Sequence, residues 1–297
     1  MRNAECGKKF CAAKTKHSKL KIQHSFRIPN SAFRIPLTFA CMEIIIGITA
    51  FLASLLTLFS GFGLGTLLTP VFGLFFPAHI AVALTGIVHL LNNLFKVSLL
   101  GKQADKKMVL RFGIPSVIGG LLGAWLLLQV SEMAPLADWQ WGEKVFRIEP
   151  LKLLIGMLMI FFALMEVVPV LKKMQFGQRY LSAGGLLSGF FGGLSGHQGA
   201  LRSAFLLKSG LDKTAFVATG IVIACMVDFT RLPVYFSRMR HEVLQEQWPL
   251  LLVATVCAFA GAWLGARFLK KTTYTFIKWC TTLMILLIGV LMASGVL

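Results

Sequence analysis

The sequence has few charged residues, and acidic ones are the scarcest. Only 14% of its 297 residues are charged, and Asp and Glu together number 12. A soluble domain has about 25% charged residues, so this composition excludes an ordinary soluble domain. A hydrophobic content of 56% excludes a disordered chain. The long apolar runs predict an all-α, polytopic membrane protein, because a β-barrel would show short segments of alternating polarity.

Cysteine pairs and nucleotide-binding loops are also missing. The six cysteines contain no CxxC pair, so a disulfide scaffold is excluded. Cys6, Cys11, His17 and His24 lack the long loop that separates the ligand pairs of a zinc site, and we expect no metal there. No GxxxxGK[ST] loop occurs, which leaves ATP-driven pumping by this chain unsupported. We expect no cofactor.

Residues 1–42 form a basic tail with nine Lys or Arg residues and one acid. A pI near 10 would suggest a nucleic-acid partner. Basic residues beside membrane segments are better explained by contact with anionic lipid, so we expect no nucleic acid. The tail has no apolar segment, and Met42 stands where the apolar sequence begins. We expect a disordered cytoplasmic tail, with Met42 as a candidate start site.

Eight apolar segments are long enough to cross a bilayer of about 30 Å. The first and fifth are longer than one crossing and rich in glycine, which predicts broken helices. The loop after the second segment is basic and the loop after the third is acidic, so the amino terminus, the basic loop and the carboxyl terminus are predicted to be cytoplasmic. The segments cover residues 43–76, 78–100, 109–130, 150–171, 181–209, 214–236, 248–269 and 276–296.

One loop disagrees with eight simple crossings. It follows the seventh segment, which would place it outside, yet it is basic. Either the first helix dominates the orientation, or the broken fifth segment does not cross fully. The basic residues of this loop are Arg267, Lys270, Lys271 and Lys278.

The two halves of the chain resemble one another. Ala81–Val88 and Ala215–Val222 share the tetrapeptide Thr-Gly-Ile-Val, and Gly-Ala-Trp-Leu occurs at 123–126 and again at 261–264. Ser-Gly-Phe occurs at 60–62 and at 188–190. The three shared motifs predict two homologous four-helix repeats, residues 43–171 and 172–297. Internal repeats are typical of secondary transporters, whose substrate site lies where the repeats meet.

The fifth segment carries the strongest local signal. Seven glycines fall in the sixteen residues 184–199. Close helix packing explains Gly185, Gly189 and Gly193, which are four apart, but not the polar run that follows. An unwound stretch lining a cavity explains both. A helix that restarts near Ala200 would direct its free N–H groups at the break. The candidate binding residues here are Gly196, His197, Gln198, Gly199, Arg202 and Ser203.

Other polar residues interrupt the apolar runs. The first break is followed by Thr66 and Thr69-Pro70. His89 and Asn92 belong to a polar stripe on the second segment, together with Thr85 and Lys96, where Lys96 either serves the site or reaches an interface. The sixth segment holds Asp228 and Arg231, three apart and able to pair or to couple to protons. We expect Thr66, Thr69, His89 and Asn92 to contribute to the same substrate site as the second break.

The glycine-rich openings SGFGLGTLLTP and SGFFGGLSGHQGALRSAFL resemble those of the sulfite exporter TauE/SafE family. The resemblance covers about residues 43–297. It implies a multi-pass permease of the bacterial cytoplasmic membrane that carries sulfite, sulfonates or related anions. The family pattern has a proline after the break in each half. Pro70 keeps it, whereas residues 198–203 hold none, which leaves the particular anion open.

The leading hypothesis is therefore a secondary permease for a small sulfur oxyanion or organosulfonate. We expect no catalytic residue. Protons are candidate co-substrates, carried by His89, His197 or Asp228. Two alternatives remain. Gly193-Leu194-Ser195-Gly196 is similar to the GxSG motif of rhomboid proteases, in which Ser195 would need a histidine base. A cation permease would instead need several membrane carboxylates, for which only Glu166 and Asp228 are available.

Overall fold

The computed structural model describes residues 39–60, 63–168, 177–206, 209–239, 241–268 and 274–296. The tail at 1–38, most of the 168–176 connection between the two predicted repeats, and the basic residues Lys270 and Lys271 lie outside the described residues. Nearly all of the described chain is helical. A single antiparallel hairpin, β1 (Ala137–Trp141) with β2 (Lys144–Ile148), is the only sheet in these ranges.

Twelve α-helices occur in the described ranges. A π-helical turn at Val109–Gly113 joins the fourth to the fifth, and 3-10 turns lie at Gly101–Gln103 and Gln178–Tyr180. In chain order the helices are α1 (Phe39–Ser60), α2 (Leu64–Gly73), α3 (Ala78–Leu100), α4 (Lys106–Met108), α5 (Ile114–Ser131), α6 (Pro150–Val167), α7 (Leu181–Ser195), α8 (Gly199–Leu206), α9 (Lys213–Phe236), α10 (His241–Glu246), α11 (Trp248–Phe268) and α12 (Tyr274–Ala293).

Each of the eight predicted apolar segments contains helix. Four stretches among the described residues are long and apolar enough to cross a membrane: Ala78–Gln103, Lys106–Ser131, Lys213–Phe236 and Trp248–Arg267. Their ends follow from local sequence. Asp212 caps α9 by accepting hydrogen bonds from the N–H groups of Thr214 and Ala215, both at 2.8 Å. Pro150 begins α6, where its missing N–H costs nothing. These features support a polytopic membrane protein.

The glycines of α7 allow close packing against α5. A Cβ at Gly185, Gly189 or Gly193 would overlap the carbonyl oxygens of Phe112, Ser116 and Gly120 respectively. The matching order of these contacts shows that the two helices run in parallel. Small residues four apart let the backbones touch, so this part of the glycine pattern is explained by packing, as the spacing predicted.

The fifth apolar segment is a helix hairpin that turns back on itself. α7 ends at Ser195, Gly196 takes the left-handed conformation with φ +80°, and α8 begins at Gly199. Near the end of α8, the ring of Phe205 covers Gly184 near the start of α7. Phe205 and Leu206 pack with Leu181 in one apolar cluster. The segment therefore returns to the face from which it starts.

The first apolar segment makes a similar hairpin. α1 runs parallel to α3, because Ser54 contacts Asn92 and Thr57 contacts Lys96. α2 runs the opposite way: a Cβ on Gly63 would lie 3.2 Å from Nε2 of His89 (a residue of α3), and Gly65 lies beside Thr85, one turn earlier on α3. The hairpin α1–α2 thus also starts and ends on one face.

The helices α3 and α9 pack against each other in opposite directions. His89 Nδ1 lies 2.6 Å from Asp228 Oδ2. On one side of this contact Gly86 packs against Leu232, and on the other the Asp105 N–H donates to Thr219 Oγ1 at 2.9 Å. The Thr-Gly-Ile-Val tetrapeptides of the two halves therefore lie on antiparallel neighbouring helices. Both helix hairpins pack against this pair.

The two ends of the α4–α5 rod define two faces. The basic face carries Lys102, Lys106, Lys107 and Arg111. The opposite face carries the β-hairpin β1–β2, and we call it the hairpin face after that β-hairpin. Trp139 of β1 donates from Nε1 to the carbonyl oxygen of Ser294 at 2.7 Å, so α12 ends on the hairpin face. α11 begins there too, after α9 and α10, and α1 runs parallel to α11, since Gly261 packs on the backbone at Phe51 and Gly47 on Cys257.

These contacts correct the predicted topology. The start of α1 and the end of α12 lie on the face opposite to the basic loop, whereas the sequence was interpreted with both termini and that loop on one side. The residues before position 39 are outside the described ranges. The physical reason is the pair of helix hairpins. An apolar run that turns back joins two points on the same face, whereas counting it as one crossing places those two points on opposite faces. Arg267, at the end of α11, consequently lies on the basic face, as the alternative of an incompletely crossing fifth segment predicts.

Candidate functional site

The two helix hairpins meet at their breaks. A Cβ placed on Gly65 would lie 3.2 Å from the carbonyl oxygen of Gly196, and one on Gly63 would lie 3.9 Å from it. Gly196 in turn faces Thr69, whose Oγ1 would be 3.7 Å from a Cβ there. A Cβ at Gly65 would crowd the Gly196 carbonyl oxygen, and Gly196 has φ +80°, so glycine suits the point where the two hairpins touch.

Each break is followed by a helix whose first N–H groups have no partner within the helix. α2 begins at Leu64, with the Thr66 N–H donating to Gly63 O at 3.0 Å. α8 begins at Gly199, one residue before the predicted restart, and the Arg202 N–H donates to Gln198 O at 3.1 Å. Two positive dipole ends therefore point towards the paired breaks, a setting that favours negative charge.

Several polar atoms around the breaks are buried without hydrogen bonds. Thr66 and Thr69 of α2 are each 1% exposed. The hydroxyl groups of Thr69 and Thr85 and both ends of the Gln198 carboxamide have no partner among the described residues. An unpaired buried polar atom costs about 1–3 kcal/mol, and a cluster of them is the signature of a group that binds a ligand. Gly196, Gln198 and Gly199 are fully buried with them.

Asp228 holds the network beside the breaks together. Its Oδ1 accepts from Arg231 Nε at 2.8 Å, and its Oδ2 lies 2.6 Å from His89 Nδ1. Asp228 is 0% exposed, Arg231 1% and His89 3%. Because a carboxylate can only accept, Nδ1 of His89 carries a proton in this contact, which leaves Nε2 directed at the α2 break near Gly63.

Arg231 is held mainly by protein groups, although its Nη2, which lies 2.8 Å from Asp228 Oδ1, makes no hydrogen bond among the described residues. Besides Asp228 it donates from Nη1 to the Gly192 carbonyl oxygen at 2.9 Å and contacts the Tyr235 hydroxyl at 3.4 Å. Tyr235 donates to the carbonyl oxygen of Gly193. These carbonyls belong to the last turn of α7, where a helix leaves its acceptors free. Arg231 and Tyr235 therefore tie α9 to the end of α7 and hold the break in place.

Arg202 has a different environment. It is half-buried on the first turn of α8, and its Nε would lie 3.1 Å from a Cβ at Gly220 of α9. Its Nη1 is buried and has no hydrogen-bond partner among the described residues. Ser203, the neighbouring residue predicted for the site, is also half-buried. Arg202 thus presents an unpaired donor in the interior, next to the start of a helix.

His197 lies within the second break and packs back on its neighbours, with Nε2 buried and without a hydrogen-bond partner among the described residues, whereas Asn92 is turned away from both breaks. His197 Nδ1 lies 2.8 Å from the Ser195 carbonyl oxygen, and its ring stacks on Phe162 of α6. Asn92 bonds Ser54 of α1, and in the orientation that satisfies its carboxamide it donates to the Ala258 carbonyl oxygen at 3.2 Å. Asn92 therefore links three helices, and the structure does not bring it to the site for which it was predicted.

Lys96 is the residue whose position the sequence left open. It is 5% exposed, so it does not reach a membrane interface. Its Nζ donates to Thr57 Oγ1 at 3.5 Å and, with the same orientation of the carboxamide, to Asn92 at 3.1 Å. Both partners are neutral. The predicted site also lacked Thr85 and Tyr235. Like Lys96, each of them is a polar residue within an apolar run, and this pattern is the signal that could have identified them.

The geometry argues against a serine protease. Ser195 donates from Oγ to the Phe191 carbonyl oxygen at 3.1 Å, and its Oγ lies 3.1 Å from His197 Nδ1. That nitrogen also faces the Ser195 carbonyl oxygen, which can only accept, so Nδ1 is the protonated one. A protonated nitrogen cannot take the hydroxyl proton as a general base. A cation site is disfavoured as well, since Asp228 is the only carboxylate buried among the side chains that the structure describes, which do not include that of Glu166.

The sequence matches one known protein family. The sequence model of the sulfite exporter TauE/SafE family matches residues 46–292, which include both breaks, α3 and α9. Comparison with curated proteins and with solved structures gave no match. Because the family match covers most of the chain and all of the candidate site, the chain belongs to the sulfite exporter TauE/SafE family of membrane permeases.

Proposed function

We propose that the chain is a secondary permease for a small sulfur oxyanion or organosulfonate, bound where the two breaks meet. The main support is an excess of positive charge in the interior. Among the side chains that the structure describes, the interior holds three cations, Lys96, Arg202 and Arg231, and one carboxylate, Asp228. Uncompensated buried charge is costly, and a bound anion compensates it. The helix starts at Leu64 and Gly199 add further donors.

The test of this proposal is a flux assay in proteoliposomes. We expect accumulation of sulfite, thiosulfate or a sulfonate, no transport of Na⁺ or K⁺, and weak transport of carboxylates. Liposomes without protein are the control. Uptake of cations without any anion would favour a cation permease. Cleavage of a transmembrane substrate would favour a protease using Ser195.

We also propose that the halves 43–171 and 172–297 are inverted repeats. Gly123 packs on the backbone at Phe190, and Gly261 packs in the same way on the backbone at Phe51. α3 and α9 run antiparallel, as a two-fold axis in the membrane plane requires.

The orientation we propose puts the basic face in the cytoplasm of a bacterial inner membrane. Positive residues are enriched on the cytoplasmic side. Among the side chains that the structure describes, seven basic residues stand against two acids on the basic face, while six acids stand against four basic residues on the hairpin face. The first set is Lys102, Lys106, Lys107, Arg111, Arg179, Lys213 and Arg267 against Asp105 and Asp212; the second is Glu43, Glu132, Asp138, Glu143, Glu149 and Glu246 against Lys144, Arg147, Lys152 and Arg238.

Cysteine accessibility tests that orientation. A single cysteine at Lys107 should be blocked by a membrane-impermeant maleimide only in lysed cells, whereas one at Glu143 should be blocked in intact cells. The reverse pattern would contradict the proposal. The same strain lacking residues 1–41 tests the tail, which we propose is dispensable for insertion and transport. Loss or inversion of labelling in the truncated protein would make the tail an orientation signal.

Protons are the co-substrate that we propose, with His89 as the carrier. Its Nδ1 is held by Asp228, while Nε2 faces the α2 break, so a proton can be gained or lost at Nε2 without loss of the first contact. His89→Gln should abolish the effect of a pH gradient on anion flux and leave exchange of anion for anion. An unchanged response to the gradient would place coupling elsewhere.

A further inference from the structure

Lys96 adds to the positive charge of the interior, but the proposed site has so far given it no contact with the substrate. Its ammonium is 5% exposed and has only the neutral oxygens of Thr57 and Asn92 as partners among the described residues. A lysine that merely filled space would extend its charge to water. This one ends in the interior of the helix bundle, on α3.

Lys96 lies two turns after His89 on α3 and therefore on the same face, which packs against α9. The antiparallel register set by His89 with Asp228 and by Gly86 with Leu232 places position 96 level with Gly220 and Ile221 of α9. Lys96 thus approaches α9 from α3, while Arg202 approaches it from α8, where it packs on Gly220. Two cations from different halves of the chain therefore surround one short stretch of α9.

Their charges are not balanced by protein groups. Asp228 is bound to Arg231 at 2.8 Å and to His89 at 2.6 Å, and so it is matched with one cation. Lys96 and Arg202 then leave two positive charges, with Arg202 Nη1 unpaired. Two like charges close together in a medium of low polarity repel each other strongly. One anion with two negative charges is the ligand that removes this repulsion.

We infer that Lys96 and Arg202 together form a two-cation site that selects a doubly charged sulfur oxyanion over a singly charged sulfonate. This inference rests on the proposed function and deepens it, because it states the charge of the substrate. Arg202 binds two oxygens of the oxyanion through its planar guanidinium, and Lys96 contributes a point charge to the remaining side. In a singly charged sulfonate, a carbon group replaces the oxygen or sulfur that would carry the second charge.

The test compares thiosulfate with methanesulfonate, which share a sulfonate-like head and differ by one charge at neutral pH. Binding to the purified full-length protein in detergent is measured by titration calorimetry, and flux is measured in proteoliposomes. The wild type should bind thiosulfate at least about tenfold more tightly than methanesulfonate, as expected for one more charge in a poorly solvated site. Equal affinities for the two anions would overturn the inference, but they would not contradict the proposed function.

Lys96→Met removes the charge and keeps the length of the side chain. It should reduce the preference for thiosulfate to within about twofold by weakening thiosulfate binding alone. Lys102→Gln, an exposed lysine beyond the end of the same helix, is the matched control and should keep the wild-type preference. An unchanged preference in Lys96→Met would show that Lys96 is an uncharged packing residue and contradict the inference.

Two outcomes separate the inference from the function on which it rests. Lys96→Arg keeps the charge and should keep the preference, so that rescue by arginine but not by methionine identifies charge as the cause. If Lys96→Met fails to fold, the thiosulfate-to-methanesulfonate ratio of the wild type and of Lys96→Arg still decides the inference. Failure of the wild type to bind either anion would overturn both the inference and the proposed function.

Discussion

Arg202 and Arg231 are the same side chain in two different settings. Arg231 contacts a carboxylate, a carbonyl oxygen and a tyrosine hydroxyl, and it is 1% exposed. Arg202 has a buried Nη1 without a partner among the described residues, and its guanidinium packs on Gly220. The comparison separates a residue that holds the protein together from one that is free to bind a ligand.

The two settings have different energetic consequences. A buried ion pair is a weak source of stability, yet removal of one partner is severe because the other charge is left unpaired. An unpaired arginine already carries that cost in the empty protein. Its removal should therefore harm binding far more than folding. Substitutions at the two positions should give opposite combinations of stability and transport.

The largest effect should come from breaking the Asp228–Arg231 pair. Arg231→Gln or Asp228→Asn alone should cost about 3–5 kcal/mol of folding stability, because each leaves a buried charge. The double variant should be expressed better than either single one. The measurement is the yield of monodisperse protein in gel filtration, with thermal unfolding as a second readout. Damage in the double variant equal to the sum of the single ones would show that the two residues act separately.

Arg202→Lys should show the second largest effect, and it should appear in binding. The variant keeps the charge but loses the planar pair of donors, so we expect anion affinity to fall at least about tenfold while the unfolding temperature stays near that of the wild type. Titration calorimetry with thiosulfate measures the first quantity. Wild-type affinity in Arg202→Lys would mean that any cation suffices here.

Substitutions at the breaks should show whether the setting of Arg202 depends on the contact between hairpins. Gly196→Ala adds strain, since Gly196 has φ +80°, at a cost of about 1–2 kcal/mol. Gly65→Val adds bulk 3.2 Å from the Gly196 carbonyl oxygen. Both should reduce anion flux more than Gly73→Ala, a matched control at a glycine with open space around it. Equal flux in all three variants would show that the contact between the breaks does not contribute to the anion site.

The smallest effect expected is that of Tyr235→Phe. The variant loses the hydrogen bond to Gly193 and the contact with Arg231. A buried hydrogen bond contributes about 1 kcal/mol, so thermal unfolding should shift slightly and anion affinity should not change. A loss of affinity larger than the loss of stability would give Tyr235 a direct role in binding.

Part of this arrangement could be predicted from the sequence because its signals are local. The polar run after the glycines of the fifth segment predicted a break, and α7 ends at Ser195 with α8 starting at Gly199. The spacing of Asp228 and Arg231 predicted residues able to pair on one helix, and the structure contains that pair. Spacing of four also predicted which glycines serve packing.

The rest depends on contacts between distant parts of the chain. His89 meets Asp228 across 139 positions, and no local pattern indicates that α3 and α9 are antiparallel neighbours. The faces on which α1 begins and α12 ends could not be predicted, because the sequence does not say that an apolar run turns back. Asn92 and Lys96 share one face of α3, yet Asn92 bonds α1 and α11 while Lys96 retains an uncompensated charge. Only the neighbouring helices distinguish the two.

An anion site at Arg202 is tested most directly by anion flux through Arg202→Gln in proteoliposomes, beside the wild type and Lys102→Gln at equal reconstituted amounts. We expect Arg202→Gln to be inserted as a folded protein, with wild-type gel filtration and thermal unfolding, and to carry no sulfite or thiosulfate above empty liposomes. Lys102→Gln should transport both anions at the wild-type rate. Wild-type flux and affinity in Arg202→Gln would show that Arg202 only anchors the start of α8 and does not bind the anion.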